Sequence, residues 1–446
     1  MAVLGREGKA DVTAERAAWR NRARAPLTFG TMTINAPAPA RLPLLLVARV
    51  FLPFAGGYFL SYLYRTVNAV IGPDLVRDFG VAPGQLGLLT SVYFLTFAAA
   101  QLPLGVMLDR YGPQRVNAAL LGIAALGALV FAWASSFSGL LAGRALIGLG
   151  VSGALMAALK AFTVFFPRNR LASVNGLLMA MGGLGAVAAS APVQSLLRTM
   201  DWRGVFELFV LATLVVLVAV LFVVPRGAQS AARSEPLSVT IAGVGTVFRD
   251  PVFWRIGLVC LTAQGGFLAA QGLWIAPWLT DVVGVSRTVA AQYLLWMALA
   301  ITAGFAFFGN AADRFAHLGI DAYALFRLCA LGAAIALGLI AGGVTAAALP
   351  ACLLWAFCST GFALSYAILS HRFPTGLAGR AHTAVNMLVF VGGFALQWGL
   401  GLVVGQWAPE AGRYPPTAYA TAFGVLLAAQ VACSLPLLRP RPAERA

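Results

Sequence analysis

Apolar residues in this chain come in long unbroken runs, and polar residues gather between them. A run of about 20 apolar residues is long enough to carry an α-helix across the hydrocarbon core of a bilayer. Marked off by their polar ends, such runs lie near 46–74, 84–108, 116–136, 138–161, 170–195, 203–224, 253–280, 288–310, 322–343, 348–370, 379–406 and 416–438. The pattern predicts twelve membrane-spanning helices. It does not show the short apolar–polar alternation of a membrane β-barrel. Backbone groups in lipid must then be satisfied within each helix.

The polar intervals set the expected organisation. The longest interior one, about 225–252, separates a six-helix bundle at 43–224 from a second at 253–438, with tails at 1–42 and 439–446. The first tail carries an Ala-Pro-Ala-Pro-Ala stretch at 36–40 and reads as a solvated basic segment. Its first apolar run comes too late for a signal peptide. Composition agrees with a membrane protein: 60% of residues are hydrophobic and only 10% charged, against about 25% charged in a soluble domain. So few charges could not cover a soluble fold of this length, and so apolar a chain does not stay disordered.

The formal charge of +16 has a topological explanation. With the N-terminus inside, 22 of the 31 Lys and Arg fall in inside tails and loops. That bias predicts both termini in the cytoplasm of a multi-pass inner-membrane protein. The expected partner of the chain's surface is the bilayer, not nucleic acid, and a monomer is expected. Five cysteines lie in apolar stretches without metal-ligand spacing, as small buried residues do. No Gly-Lys-Ser/Thr phosphate loop and no Ser-His-Asp context stand out, so neither an enzyme nor a cofactor is expected.

Each half carries a related motif after its second helix. The first is Gly105-Val-Met-Leu-Asp109-Arg110-Tyr-Gly112-Pro-Gln-Arg115, and the second is Gly309-Asn-Ala-Ala-Asp313-Arg314. Repeated halves are a signature of secondary transporters. The first motif resembles the major facilitator superfamily signature, and Arg144-Ala-Leu-Ile-Gly148 is similar to that family's second motif. The resemblance implies an all-α membrane fold of two pseudo-symmetric six-helix bundles that rock about a central site. Helices one, four, seven and ten would line it. It also implies that Gly105, Asp109, Arg110, Gly112, Arg115, Asp313 and Arg314 form a gating latch, in which an Asp near a helix end and an Arg hold bundle edges together by charge-assisted hydrogen bonds.

Charges within the spans bear on cargo. Arg65 lies roughly 24 Å along a helix from Arg49 and roughly 18 Å from Arg77, too deep to snorkel easily. A cation at that depth is costly and marks a functional site by default. Tyr58, Tyr62 and Arg65 are spaced by four and three and share a helix face. Arg144 is expected either to bind or to pack, and Lys160 to snorkel to the interface. None of the 15 acidic residues is mid-span, and only Glu207, four residues into the sixth helix, is a coupling candidate. An unpaired buried cation favours an anionic ligand.

The expected function is therefore secondary transport of a small carboxylate-bearing anion. Arg65 is its charge partner, with Tyr58, Tyr62, Arg144, Gln264, Gln271, Trp274, Tyr366 and Asn386 as further binding candidates. A central Arg in helix one resembles the organic-anion branch, including the anion:cation symporters. Tyr64-Arg65 stands where that branch often has Asp-Arg, and no acid follows Arg144. Coupling is then expected through a proton on the substrate, through Glu207, or by exchange for a counter-anion. The alternatives are export of neutral or amphipathic compounds and carriage of a metal or metal chelate.

Overall fold

The computed structural model describes residues 45, 47–167, 170–225, 245–316, 320–410 and 412–439, which belong to a compact unit starting at Leu44. The expected tail at 1–42, residues 440–446 and most of the central loop lie outside them. Helix α1 occupies 47–79 in three pieces: a π-turn Val47–Phe51, Leu52–Thr66 and Asn68–Phe79. Then come α2 Pro83–Tyr111, α3 Pro113–Ala132, α4 Phe137–Phe165, α5 Ser173–Leu196 and α6 Trp202–Phe222. The second half comprises α7 Pro251–Asp281, α8 Arg287–Ala316, α9 Ala322–Ala341, α10 Thr345–Arg372, α11 Thr375–Val404 and α12 Pro416–Leu438.

Polar punctuation starts and stops these helices as capping chemistry requires. Asp201, Asp250 and Asp321 accept backbone N–H bonds at the starts of α6, α7 and α9, and Ser136 does so for α4. Such side chains satisfy donors that the first turn leaves free. Gly112 joins α2 to α3 at φ 82°, a conformation that favours glycine.

Ten helices among the described residues are long and apolar enough to cross a membrane, and α2, broken at Pro103, makes an eleventh. The remaining expected span is α1. It is interrupted at Val67 into pieces of 15 and 12 residues. At roughly 1.5 Å per residue neither alone crosses a bilayer core.

The two halves repeat one packing scheme. α1 packs on α5, α2 on α4, α3 on α4 and α6; equally α7 packs on α11, α8 on α10, α9 on α10 and α12. Between the halves, α2 lies against α11 and α5 against α8. The helices of the inner ring are irregular at mid-length. α1 breaks at Val67, α4 at Ser152–Gly153, α7 contains π-turns Cys260–Gln264 and Ala270–Trp274, and α10 tightens at Gly361–Ala363. Such turns free backbone groups and often mark functional positions.

The end carrying Gly105–Arg115 is the motif end, and the opposite one is the far end. At the far end the halves are closely apposed. A Cβ built on Gly401 of α11 would meet the Pro83 carbonyl oxygen of α2 at 2.5 Å, and one on Gly87 would meet that of Gln397 at 2.9 Å. Asp74 of α1 accepts from Arg287 of α8 at 3.4 Å across the interface and from Arg77 at 3.2 Å.

Candidate functional site

A cavity of about 1720 Å³ lies between the halves and extends from Arg65 to Asp109 and Arg380 at the motif end. With the far end packed shut, it is accessible from the motif end. Tyr58, Tyr62 and Arg65 all line it. They lie on the uninterrupted piece Leu52–Thr66, where spacings of four and three keep one face. Their neighbour α5 makes room for them: a Cβ on Gly182 would come within 2.6 Å of the Tyr58 ring and 2.9 Å of the Tyr62 ring.

The Arg65 guanidinium lies 4.4 Å from the Tyr62 ring centre, 5.1 Å from Phe390 and 5.5 Å from Phe97. These ring faces attract the cation without neutralising it. Arg65 is 8% exposed, and its Nε has no hydrogen-bond partner. Among the described residues it forms no ion pair with a carboxylate. Asp109 is the acid in the cavity wall, and it sits at the mouth in an ion pair with Lys160.

The opposite wall comes from α7, α10 and α11. Gln264, Tyr366 and Asn386 line the cavity, and the Tyr366 hydroxyl donates to Asn386 Oδ1 at 3.3 Å. Among residues not singled out for binding by spacing, Arg380 and His382 also face it, with Met179 of α5 under the Tyr58 hydroxyl at 3.6 Å. His382 and Met387 sit five apart on α11, a spacing that gave no reason to single out the histidine.

Other expected binding residues lie elsewhere. Arg144 is 1% exposed and outside the cavity wall. Its Nη1 donates to the Tyr64 carbonyl at 3.1 Å, and Tyr93 and Phe131 each lie 5.7 Å from the guanidinium. Tyr64 sits one turn before the Val67 break, so its carbonyl loses its ordinary helical partner and Arg144 supplies one. Arg144 is thus a packing and capping residue. Trp274 lies in a far-end pocket of about 480 Å³ and donates to the Gln397 carbonyl at 2.9 Å. Gln271 is 6% exposed and does not line the cavity. The π-turns of α7 put more residues into each turn, so Gln264 and Gln271 do not keep the shared face that a seven-residue spacing gives in a regular helix.

Glu207, the expected coupling candidate, does not line the cavity. It lies on the exposed side of α6 and accepts from the Trp133 indole at 3.1 Å. Arg203, one turn earlier on α6, reaches Asp78 at 3.4 Å. In the motif, Gly105 lines the cavity while Arg110 and Arg115 are exposed, with Arg110 beside the Tyr111 ring at 5.3 Å. Asp109 pairs with Lys160 of its own bundle, so in this conformation it does not bridge the two halves, and Lys160 does not simply snorkel. Gln114, which the sequence did not single out, donates to the carbonyls of Val220 and Leu221 at 3.1 and 3.0 Å and caps α6. Asp313 and Arg314 fall in α8, but their side chains lie outside the described residues.

A family model described as Major Facilitator Superfamily matches residues 54–396. The chain belongs to the Major Facilitator Superfamily. Its helices make it a multi-pass membrane protein, and superfamily relatives that it matches are named as transporters. Among superfamily relatives, a probable sulfoacetate transporter of Cupriavidus necator is 29% identical over 149 residues, 33% of this chain and 35% of that one. A 4-hydroxybenzoate transporter of Pseudomonas aeruginosa is 30% identical over 172 residues, 38% of each chain. A methyl viologen resistance protein of Salmonella typhimurium is 29% identical over 202 residues, 44% of this chain and 38% of that one. The chain therefore spans little more than a third of the length of these relatives. A solved D-xylose–proton symporter superposes with a TM-score of 0.70 at 15% identity, over 90% of this chain and 99% of that one, which shows the fold.

Proposed function

We propose that this transporter carries a small organic anion, with Arg65 as the charge partner of its carboxylate or sulfonate. The observation that carries this reading is Arg65 itself, a buried cation facing a large cavity with a free Nε and, among the described residues, no carboxylate partner. Burial of a charge is tolerated when a counter-charge arrives. The acid nearest the cavity mouth, Asp109, is already engaged by Lys160. Tyr58, Tyr62, Gln264, Tyr366 and Asn386 supply hydroxyl and amide groups for the rest of the ligand. Relatives named for sulfoacetate and 4-hydroxybenzoate agree with an anion.

The bias of Lys and Arg supports an orientation with the motif end on the cytoplasmic side of the inner membrane. The conformation is then inward-facing. Gly401, Gly87 and the Asp74–Arg287 pair close the outer side, and Asp109, Arg110 and Arg115 latch the inner side when the halves rock. The aromatic walls would also suit neutral or amphipathic compounds, and one relative is named for methyl viologen resistance. A cationic cargo, however, meets Arg65 with the wrong sign. A metal finds no group of three or more His, Cys, Asp or Glu among the described residues.

The test is binding and proteoliposome uptake with a panel including 4-hydroxybenzoate and sulfoacetate. Arg65→Ala is expected to weaken binding by about 100-fold, as truncating one partner of a buried charge pair does, while the protein stays monodisperse. Undiminished uptake by that variant refutes the assignment.

A further inference from the structure

Among the described residues, the wall of the proposed anion site holds no unpaired carboxylate. Glu207 is on the outer surface, and Asp109 is bound to Lys160. The chain has three histidines. Of the two in described segments, His371 is exposed on α10, whereas His382 of α11 lines the cavity. Imidazole is the side chain whose ordinary pKa of about 6.5 places its charge change in the physiological range.

The local geometry fixes which nitrogen exchanges the proton. His382 Nε2 is 2.8 Å from the carbonyl oxygen of Tyr366 and 2.8 Å from Ser370 Oγ. A carbonyl only accepts, so Nε2 carries a hydrogen in this arrangement. Nδ1 is then the basic nitrogen of the neutral ring. A proton arriving there makes the imidazolium without breaking the Nε2 bond to α10. The ring also stands edge-on to Tyr366 with centres 5.1 Å apart, and the Tyr366 hydroxyl reaches Asn386. His382 thus touches Tyr366, and Tyr366 touches Asn386, two residues of the proposed anion site.

We infer that His382 is the proton-coupling residue of this carrier: Nδ1 takes a proton from water on one side and returns it to water on the other, in step with the anion. This rests on the proposed anion site. The surrounding charges are consistent with such a role. α10 contributes His371 and Arg372, the latter held by Asp250 at 2.8 Å. α7 brings Arg255 and Cys260, α12 brings Cys433, and α11 itself brings Arg380. Across the cavity stand Arg65, Tyr58, Tyr62 and the Asp109–Lys160 pair. Among the described residues, the cavity wall carries Arg65 and Arg380 against the single carboxylate Asp109, so an anion entering it meets a cationic excess. By linkage, the proton raises anion affinity by the same factor that the anion raises proton affinity.

The decisive experiment needs no substrate. Reconstituted wild-type protein, H382Q and the exposed-site control H371Q are given pH steps on a solid-supported membrane, and the transient charge displacement is recorded. Wild type and H371Q are expected to give a transient with a midpoint between about pH 5 and 8, and H382Q to lose it. A transient of equal size in H382Q overturns the inference, as does a wild type with no transient in that range, which is read even if H382Q does not fold. A second arm measures 4-hydroxybenzoate uptake against an imposed pH gradient. H382Q is expected to lose the roughly tenfold or greater gradient dependence that a coupled site confers. If wild type moves no anion of the panel, the anion reading fails, while the pH-step currents still decide whether His382 exchanges the proton.

Discussion

Substitution of Gly401 by alanine is expected to push the carrier out of the conformation described here. The Cβ would lie 2.5 Å from the Pro83 carbonyl oxygen and 2.9 Å from the Trp274 ring. Ordinary carbon–oxygen contacts begin near about 3.3 Å, so the far-end interface would have to open by roughly 0.8 Å. The obstructing atom is backbone and cannot rotate away. Overpacking of this kind costs about 1–3 kcal/mol. The clash is between α2 and α11, which belong to different halves, so it vanishes once the far end opens. The whole cost therefore falls on one state, and the equilibrium shifts by about 5–150-fold. Single-cysteine probes at Thr383, in the cavity, and at Gln194, in the far-end pocket, report the two openings by their labelling rates. G401A should lower labelling at Thr383 and raise it at Gln194. Gly127→Ala is the control: its Cβ would lie 2.6 Å from the Ile147 nitrogen, inside the first half. It should lower stability without moving the labelling ratio. An unchanged ratio in a folded G401A protein would refute the claim that this contact holds the far end shut.

Other expectations are as direct. R144M removes the donor to Tyr64 and leaves a buried carbonyl unpaired, at a cost of about 1–3 kcal/mol; thermal stability should fall while 4-hydroxybenzoate affinity, where present, stays within a few-fold of wild type. Q114A should cost about 1 kcal/mol by uncapping α6, read as a lower melting temperature without a change in binding selectivity. Asp78 accepts from the Trp202 indole at 2.8 Å, which holds its carboxyl below the usual carboxylate range. Its folded pKa is lowered, so its stabilisation is present above the unfolded value of about 3.9 and is lost as pH falls through the folded one. D78N should therefore lower the melting temperature at neutral pH, and that difference should close below about pH 4.

Much of the fold could be read from the chain because lipid imposes one requirement along its whole length. Apolar runs must be long, and charges must collect where they end. The Tyr58–Tyr62–Arg65 face could be read for a related reason: those residues lie on an uninterrupted stretch of helix. The failures sit where helices are irregular. The break at Val67 has no marked sequence signature, so the need of the Tyr64 carbonyl for Arg144 was hidden, and Arg144 was an open choice between binding and packing. The π-turns of α7 spoiled the register linking Gln264 to Gln271. Glu207 lies close enough to the end of α6 that sequence depth alone did not decide between cavity and outer surface. His382 is not legible from spacing along α11, because its partners are a backbone carbonyl on α10 and a serine four residues further on.

The glycine pair on α5 has an evolutionary consequence. Gly182 makes room for the Tyr58 and Tyr62 rings, and a Cβ on the adjacent Gly183 would lie 2.1 Å from Thr302 Oγ1 on α8. Consecutive residues thus set the width of the cargo site and the spacing of the two moving halves. A lineage that enlarges either tyrosine to suit a new cargo displaces α5 and loosens the α5–α8 bearing with it. Side chains on α10 and α11, such as Tyr366 and Asn386, meet no such constraint from α5. New specificities should therefore arise more readily on the α10–α11 wall, leaving α1 and α5 as the invariant side of the carrier.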